Sequence, residues 1–223
     1  MTALANPCRS SVEVGTVDVP DADSIECVLT HHCHTPRDRG GHPTSVSGRY
    51  LLQQAAELLH GTQIGERPMT DSSRRWYWPG TPWHGSVSHI PGWSLSGLIT
   101  DGHIGVDVQD ARERPGALDF IADLVRLPRR ASILEFAECE ALVKASRLTK
   151  ETFGHVRLPQ WRPGWRHVVD EFWVWSTEVT GVGAVAVTSD RPRKIRWWRC
   201  YAETHGQLSA PEPLNGFNTG DIS

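Results

Sequence analysis

The pattern of apolar and polar residues predicts β-strands over much of the first half of the chain. Residues alternate in polarity, or form short apolar runs between turn residues, at 11–19, 24–30, 85–89, 93–100 and 103–109. The dipeptides Pro91-Gly92 and Asp101-Gly102 separate the last three of these segments, and Asp-Gly is a strong hairpin signal. The last three segments are therefore predicted to form an antiparallel meander.

Two segments carry apolar residues at the spacing of an amphipathic helix. The first runs from Ser47 to Gly61, a residue type that often ends helices, and the second runs from Ala131 to Leu148. The stripe of the second helix consists of Leu134, Ala137, Ala141, Ala145 and Leu148. A short helix is predicted within 111–128, strands at 171–180 and 183–188, and a frayed tail from Pro211. Strands and helices in this order predict an α+β fold.

Composition narrows the class of protein. The chain has 223 residues, of which 39% are hydrophobic and 22% charged, and these values exclude a collagen-like chain and extensive disorder. Its apolar runs are far shorter than the ~18 residues that cross a bilayer, so no membrane helix is expected. The first residues lack a basic segment followed by an apolar one, and we expect no signal peptide and a cytoplasmic location.

Charge and cysteine content narrow the class of protein further. The net charge of −3 argues against a dedicated nucleic-acid-binding protein. Only Lys144, Lys150 and Lys194 are lysines among 23 cationic residues, so a lysine in a candidate site is informative. Five scattered cysteines are typical of reduced thiols. The segment from Cys27 to Cys33-His34 could bind zinc, but no second ligand pair follows, and an ordinary strand or loop is favoured.

The strand predicted at 103–109 places an acidic residue opposite an apolar face. Side chains alternate along a strand, so Ile104, Val106 and Val108 share one face, while Gly105, Asp107 and Gln109 share the other. A glycine two residues before a carboxylate could let a bulky anionic ligand approach closely. The simpler interpretation of Asp107 is a solvated carboxylate on the exposed side of the strand.

The helix predicted at 131–148 adds Glu140 and Lys144 on one face, four residues apart. A surface ion pair is one interpretation, and such pairs contribute only a few tenths of a kcal/mol. The other is that Glu140 joins Asp107 on a divalent cation while Lys144 binds a phosphate, because Mg²⁺ is usually held by one or two carboxylates and substrate phosphates.

Taken together, these segments resemble the signature of the 4′-phosphopantetheinyl transferases. The resemblance begins with Gly105-Val106-Asp107 and continues with Phe136-x-x-x-Glu140-Ala141-x-x-Lys144-Ala145. Three further segments agree in order: Gly85-Ser86-Val87-Ser88-His89, Arg75-x-x-Trp78-Pro79 and Gly48-Arg49. The resemblance covers about residues 40–190, and the length fits the two-lobed, monomeric Sfp-like type.

The resemblance implies a fold of two similar α+β halves related by a pseudo-twofold axis, with the active site in the cleft between them. A boundary near residue 102 gives an N-terminal half, 1–102, that contacts the phosphates of coenzyme A. The C-terminal half, 103–210, then carries the metal and catalytic residues, and 211–223 forms a flexible tail.

The implied activity is Mg²⁺-dependent transfer of 4′-phosphopantetheine from coenzyme A to a serine of an apo acyl, aryl or peptidyl carrier protein, in polyketide or nonribosomal peptide synthesis. Adenosine 3′,5′-bisphosphate is released. By resemblance, Asp107, Glu140 and Gln109 hold the metal, Glu140 is the general base, and Lys144 neutralises the phosphate. Also by resemblance, the coenzyme A phosphates contact Ser88, His89, Arg75 and Arg49, with Lys144.

Several positions depart from the family pattern. Gln109 stands where many relatives have a second acidic ligand, Cys139 replaces a lysine, and Gln53 and Gln54 replace a basic pair. One alternative is therefore a catalytically impaired relative that only binds a carrier protein or coenzyme A. Another is an unrelated α+β binding module, such as an arginine-rich nucleic-acid protein.

Two aromatic or basic segments admit more than one role. The residues Trp76, Tyr77, Trp78 and Trp83 could lie under an adenine, but a place at the edge of the core is favoured. The basic segment 191–199 could dock an acidic carrier-protein helix or touch nucleic acid, although a solvated edge strand is favoured.

Overall fold

The computed structural model describes residues 23–31, 45–61, 67–73, 75–112, 114–149, 152–202 and 208–214, with the side chains of the first helix described from Tyr50 onward. This part of the chain is a mixed α+β structure with two sheets and three α-helices. The strands are β1 (Ser24–His31), β2 (Met69–Thr70), β3 (Trp76–Tyr77), β4 (His84–Ile90), β5 (Trp93–Ile99), β6 (Ile104–Gln109), β7 (Arg166–Val169), β8 (Phe172–Val179), β9 (Gly183–Ser189), β10 (Lys194–Tyr201) and β11 (Glu212–Pro213). The helices are α1 (Ser45–His60), α2 (Pro115–Val125) and α3 (Ile133–Ala145).

The first sheet has seven strands in the order β11-β10-β1-β5-β4-β3-β2, and the second has four in the order β6-β9-β8-β7. Strand β1 pairs parallel with β10 and antiparallel with β5. The strands β1, β5, β4 and β3 are thus arranged as β6, β9, β8 and β7 are. In chain order, the first set runs β1, α1, the short strands β2 and β3, and the hairpin β4–β5, while the second runs β6, the helices α2 and α3, the short strand β7, and the hairpin β8–β9.

The predicted meander is correct for β4 and β5 but wrong for β6. Strands β4 and β5 form the expected hairpin, whereas β6 pairs with β9 in the other sheet. Both edges of β5 are already taken, by β4 and by β1, so β6 cannot pair with it. The Asp101-Gly102 turn, with Gly102 at a φ of +85°, therefore carries the chain from one sheet to the other.

Among the described residues, four apolar clusters account for the way the layers pack, and one of them joins α2 to α3 through Val125 and Leu142. The central cluster draws side chains from both sheets, including Ile25, Leu95, Val106, Trp175 and Val187. A second joins α1 to the first sheet through Leu52, Leu59, Trp78 and Leu98. In another, all the fully buried members are alanines, and it joins α3 to β9 through Ala137, Ala141, Ala184 and Ala186. Small side chains at that contact let α3 lie close to its sheet.

The other element predictions are confirmed where the structure describes them. The strand at 24–30 and the helices at 47–61 and 131–148 are present, and Ser132 and Glu135 form a capping box at the start of α3. The strand predicted at 11–19 lies outside the described residues. Glu212–Pro213 of the predicted tail pairs with β10, so β10 is not the edge strand that the sequence suggested.

No helix among the described residues is both long enough and apolar enough to cross a lipid bilayer.

Candidate functional site

Gly105 permits an unusually close contact between α3 and β6. A Cβ atom at this position would lie 1.9 Å from the Ala141 carbonyl oxygen and 2.6 Å from the Ala145 nitrogen. The sequence suggested that this glycine admits an anionic ligand. The structure corrects this expectation, because the backbone of α3 occupies the space that the missing side chain leaves.

Asp107 is buried, and the expectation that it lies on a solvent-exposed face is wrong. All six residues of β6 are buried, and Asp107 retains only 2% of its exposure. On this face, Gly105 and Asp107 contact α3, and Asp107 also contacts Ser88 of β4. A buried carboxylate is costly unless charged or polar partners compensate it, so its contacts define the site.

Three side chains donate hydrogen bonds to the Asp107 carboxylate. Its Oδ1 accepts from the Ser88 hydroxyl at 2.6 Å and from Lys144 Nζ at 2.7 Å. Its Oδ2 accepts from Gln109 Nε2 at 2.6 Å. The strand β4 is held against the same edge of β6, because Ser86 Oγ accepts a bond of 3.0 Å from the Val106 amide.

Lys144 reaches back from α3 to the backbone of β6. Besides its ion pair with Asp107, its Nζ donates to the Val106 carbonyl oxygen at 3.0 Å. The ammonium thus lies against a carboxylate oxygen and a carbonyl oxygen, two ligand types that hard cations take in proteins. The Lys144 side chain keeps 29% of its exposure, so the site is open on the lysine side.

Arg114 is a site residue that sequence reasoning missed. Its Nη1 donates to Gln109 Oε1, and its Nη2 donates to Asp110 Oδ1 at 2.5 Å. Gln109 therefore bridges Arg114 to Asp107, with its amide nitrogen on the carboxylate and its oxygen on the guanidinium. In the sequence, Arg114 is one of two arginines that closely follow β6, and no pattern distinguishes it from the other, Arg112.

His89 follows Ser88 on β4 and lies within electrostatic reach of the Lys144–Asp107 pair. Burial lowers the pKa of His89, the Lys144 charge lowers it further, and the Asp107 charge opposes both. Its Nδ1 is buried and has no hydrogen-bond partner. A neutral imidazole with an unused ring nitrogen beside an ammonium can accept a proton or a hydrogen bond from a ligand.

Glu140 lies on α3 one turn before Lys144 and is partly exposed. That Glu140 and Asp107 hold one ion stays a prediction. Across the described ranges, no group of three or more histidine, cysteine, aspartate or glutamate side chains is placed to hold a metal ion.

Arg75 lies in a second cluster of polar side chains, together with Asp71 and His103. Its Nε and Nη2 both donate to Asp71 Oδ2, at 3.0 Å and 2.8 Å, and its Nη1 lies 2.9 Å from His103 Nδ1. The pKa of nearby His84 is lowered by burial and then by His103 and Arg75. Contact of Arg75 with coenzyme A stays a prediction, and the Arg49 side chain lies outside the described residues.

Three of the five cationic residues in the basic segment 191–199 form ion pairs with carboxylates. Arg193 is fully buried and pairs with Asp23 and Asp190, while Arg191 pairs with Asp101. Arg196 pairs with Glu26 and lies over the Trp198 ring. These contacts favour a structural role for the segment over a docking patch.

Other candidate positions also have structural roles. Of the residues considered for zinc, Cys27 is buried in the central cluster, and burial raises the pKa of its thiol, so it packs as a core residue. Cys33 and His34 lie outside the described residues. Trp78 is fully buried, and its Nε1 donates to Gln53 Oε1 at 3.0 Å. Gln53 therefore accepts a hydrogen bond from a buried tryptophan of the core, which is a structural role.

No known protein-family model matches the chain, and no curated protein is significantly similar to it.

Proposed function

We propose that the protein transfers 4′-phosphopantetheine from coenzyme A to a serine of an apo carrier protein. One observation carries the proposal: three segments that resemble the transferase signature meet in a single hydrogen-bonded cluster. Ser88, Asp107 and Lys144 come from β4, β6 and α3, and 19 and 37 residues separate Asp107 from the other two. Sequence resemblance alone does not require that these side chains touch.

The repeated strand order supports the proposed pseudo-twofold arrangement of two halves. Each set combines a first strand, a helix and a later hairpin whose second strand pairs with the first. The site cluster lies where β4 of one set meets β6 of the other, which is the place that a cleft between two halves would occupy. Strands β10 and β11 follow the second set in the chain but join the first sheet, so the proposed C-terminal half would contribute strands to the sheet of the N-terminal half.

The oxygen donors of the cluster fit a magnesium ion in their chemistry. The Asp107 carboxylate and the Val106 carbonyl are hard ligands and already hold a cation, the Lys144 ammonium. Asp107, Glu140 and Gln109 would hold the ion, with Gln109 turning its oxygen away from Arg114. When bound, Mg²⁺ neutralises negative charge on the diphosphate.

The protein's own residues would position the reactants and move one proton. The carrier serine oxygen attacks the β-phosphorus of coenzyme A, and the bond from that phosphorus to the adenosine 3′,5′-bisphosphate oxygen breaks. Glu140 takes the serine proton, directly or through water. Lys144 binds the phosphate as a point charge, while Ser88 and His89 orient it.

A second candidate function is binding without transfer. The observation that favours it is the Gln109 bridge, because an amide adds no negative charge to the site and is already engaged by Arg114. Such a protein would bind coenzyme A or a carrier protein and leave both unchanged.

One experiment separates these functions. The full chain is incubated with apo carrier protein, coenzyme A and MgCl₂, and the carrier is examined by intact-mass spectrometry. A carrier heavier by one phosphopantetheine group, absent with Asp107→Asn, supports the transferase. Coenzyme A or carrier binding by calorimetry without a mass change supports the binding function. Neither transfer nor binding overturns both.

A further inference from the structure

The position of the Lys144 ammonium has a consequence for cation binding. Its Nζ lies 2.7 Å from Asp107 Oδ1 and 3.0 Å from the Val106 oxygen, where a hard cation would also seek its ligands. We propose that Lys144 is an internal competitor for divalent cations, so that a metal ion binds Asp107 only when the lysine leaves it. This inference rests on the metal-binding part of the proposed function.

Burial makes the competition strong. Asp107 is 2% exposed, and a carboxylate removed from water needs a nearby positive charge. Lys144 already supplies that charge from the open side of the site. Two cations at the same oxygens repel each other strongly where the dielectric constant is low, so the lysine and the metal exclude each other.

The second carboxylate oxygen of Asp107, Oδ2, is also engaged in a hydrogen bond. Gln109 Nε2 donates to Oδ2 at 2.6 Å, and Arg114 holds the oxygen of the same amide. The single negative charge of Asp107 is therefore already balanced by Lys144 before any other cation binds. A phosphate-bearing ligand that draws the ammonium away frees the oxygens, so cation and phosphate ligand bind with positive coupling.

The test measures Mn²⁺ binding to the full chain by electron paramagnetic resonance, with neither coenzyme A nor carrier protein present. Lys144→Met is expected to bind Mn²⁺ at least about tenfold more tightly than the wild type, because a repelling unit charge has been removed. Lys194→Met removes an exposed lysine on β10 and is expected to match the wild type. Asp107→Asn combined with Lys144→Met is expected to lose the gain.

The charge-conserving variant Lys144→Arg is expected to keep wild-type affinity, and Lys144→Gln serves as the neutral variant if the methionine variant does not fold. A folded neutral variant that binds Mn²⁺ no more tightly than the wild type overturns the inference. The inference is also overturned if the gain survives Asp107→Asn. The measurement needs no transfer reaction, so its outcome and that of the carrier assay are read separately.

Discussion

Asp107 is a buried charge that the chain compensates with one cation and two neutral donors. We expect Asp107→Asn to abolish transfer, because the substitution removes the negative charge that would hold a divalent cation at this position. Asp107→Ala also removes the acceptor of three hydrogen bonds, so it is expected to cost about 1–3 kcal/mol of folding free energy. Urea denaturation and the carrier mass assay check the two effects independently. Full transfer by a folded Asp107→Asn variant would remove Asp107 from the mechanism.

The lowered pKa of His60 makes the free energy of unfolding depend on pH. Burial, and then the charge of Arg196, lowers its pKa from 6.5 to about 4, and both ring nitrogens are buried without partners. The unfolded chain therefore binds more protons than the folded chain between these values, so the His60 contribution to stability is lost as pH falls from 6.5 towards 4.

His60→Phe keeps an aromatic ring against Trp83 and removes the titration. We expect its unfolding free energy to fall less steeply with pH across this interval than that of the wild type. Urea denaturation series at matched pH values give the difference between the two proteins. Parallel pH profiles would show that His60 does not titrate in this way.

At the scale of elements, the contact between α3 and β6 depends on the missing side chain of Gly105. A Cβ there would lie 1.9 Å from a helix carbonyl, so Gly105→Ala must displace α3. We expect a loss of about 1–3 kcal/mol or more from overpacking, and weaker Mg²⁺-dependent transfer because Lys144 moves with the helix.

Gly116→Ala is the matched control, because a Cβ at Gly116 on α2 meets no atom within 4 Å. It is expected to leave stability unchanged or raise it slightly, since alanine is the better helix former. Thermal melts of both variants test the contact. Equal melting temperatures for Gly105→Ala and the wild type would contradict the close packing.

The same elements show what the sequence could and could not predict. Helix α3 followed from its apolar spacing, which is a local signal, and the capping box of Ser132 and Glu135 is a second local signal that the sequence analysis did not use. The burial of Asp107 did not, because the alternation of β6 shows which residues share a face but not what covers that face. The buried pair of Glu138 with Arg166, at 2.6 Å, joins residues 28 positions apart and left no sequence signal.

At the scale of the whole molecule, strand partners were the main unpredictable feature. The sequence marks a turn at Asp101-Gly102 but contains nothing that assigns β6 to β9 rather than to β5. The parallel pairing of β1 with β10 joins residues about 170 positions apart, beyond any local rule. In the candidate site, the motif residues Ser88, Asp107 and Lys144 meet in the structure while their predicted roles stay predictions, and Arg114 emerged only from the structure.

These long-range pairings predict that the molecule unfolds as one unit, although its strand order repeats. Strand β1 lies between β5 and β10, and the central cluster draws on both sheets, so neither set of strands keeps its core without the other.

Trp175 of the second sheet and Trp197 of the first lie with ring centroids 5.4 Å apart in that cluster. Because the chain has 10 tryptophans, the contact between the sheets is reported by the fluorescence difference between the wild type and Trp175→Phe, while far-ultraviolet circular dichroism reports the secondary structure. We expect both signals to give the same urea midpoint in a single transition, as a two-state protein does. A fluorescence change that precedes the loss of secondary structure would show that the sheets separate first and that the two sets of strands are independent folding units.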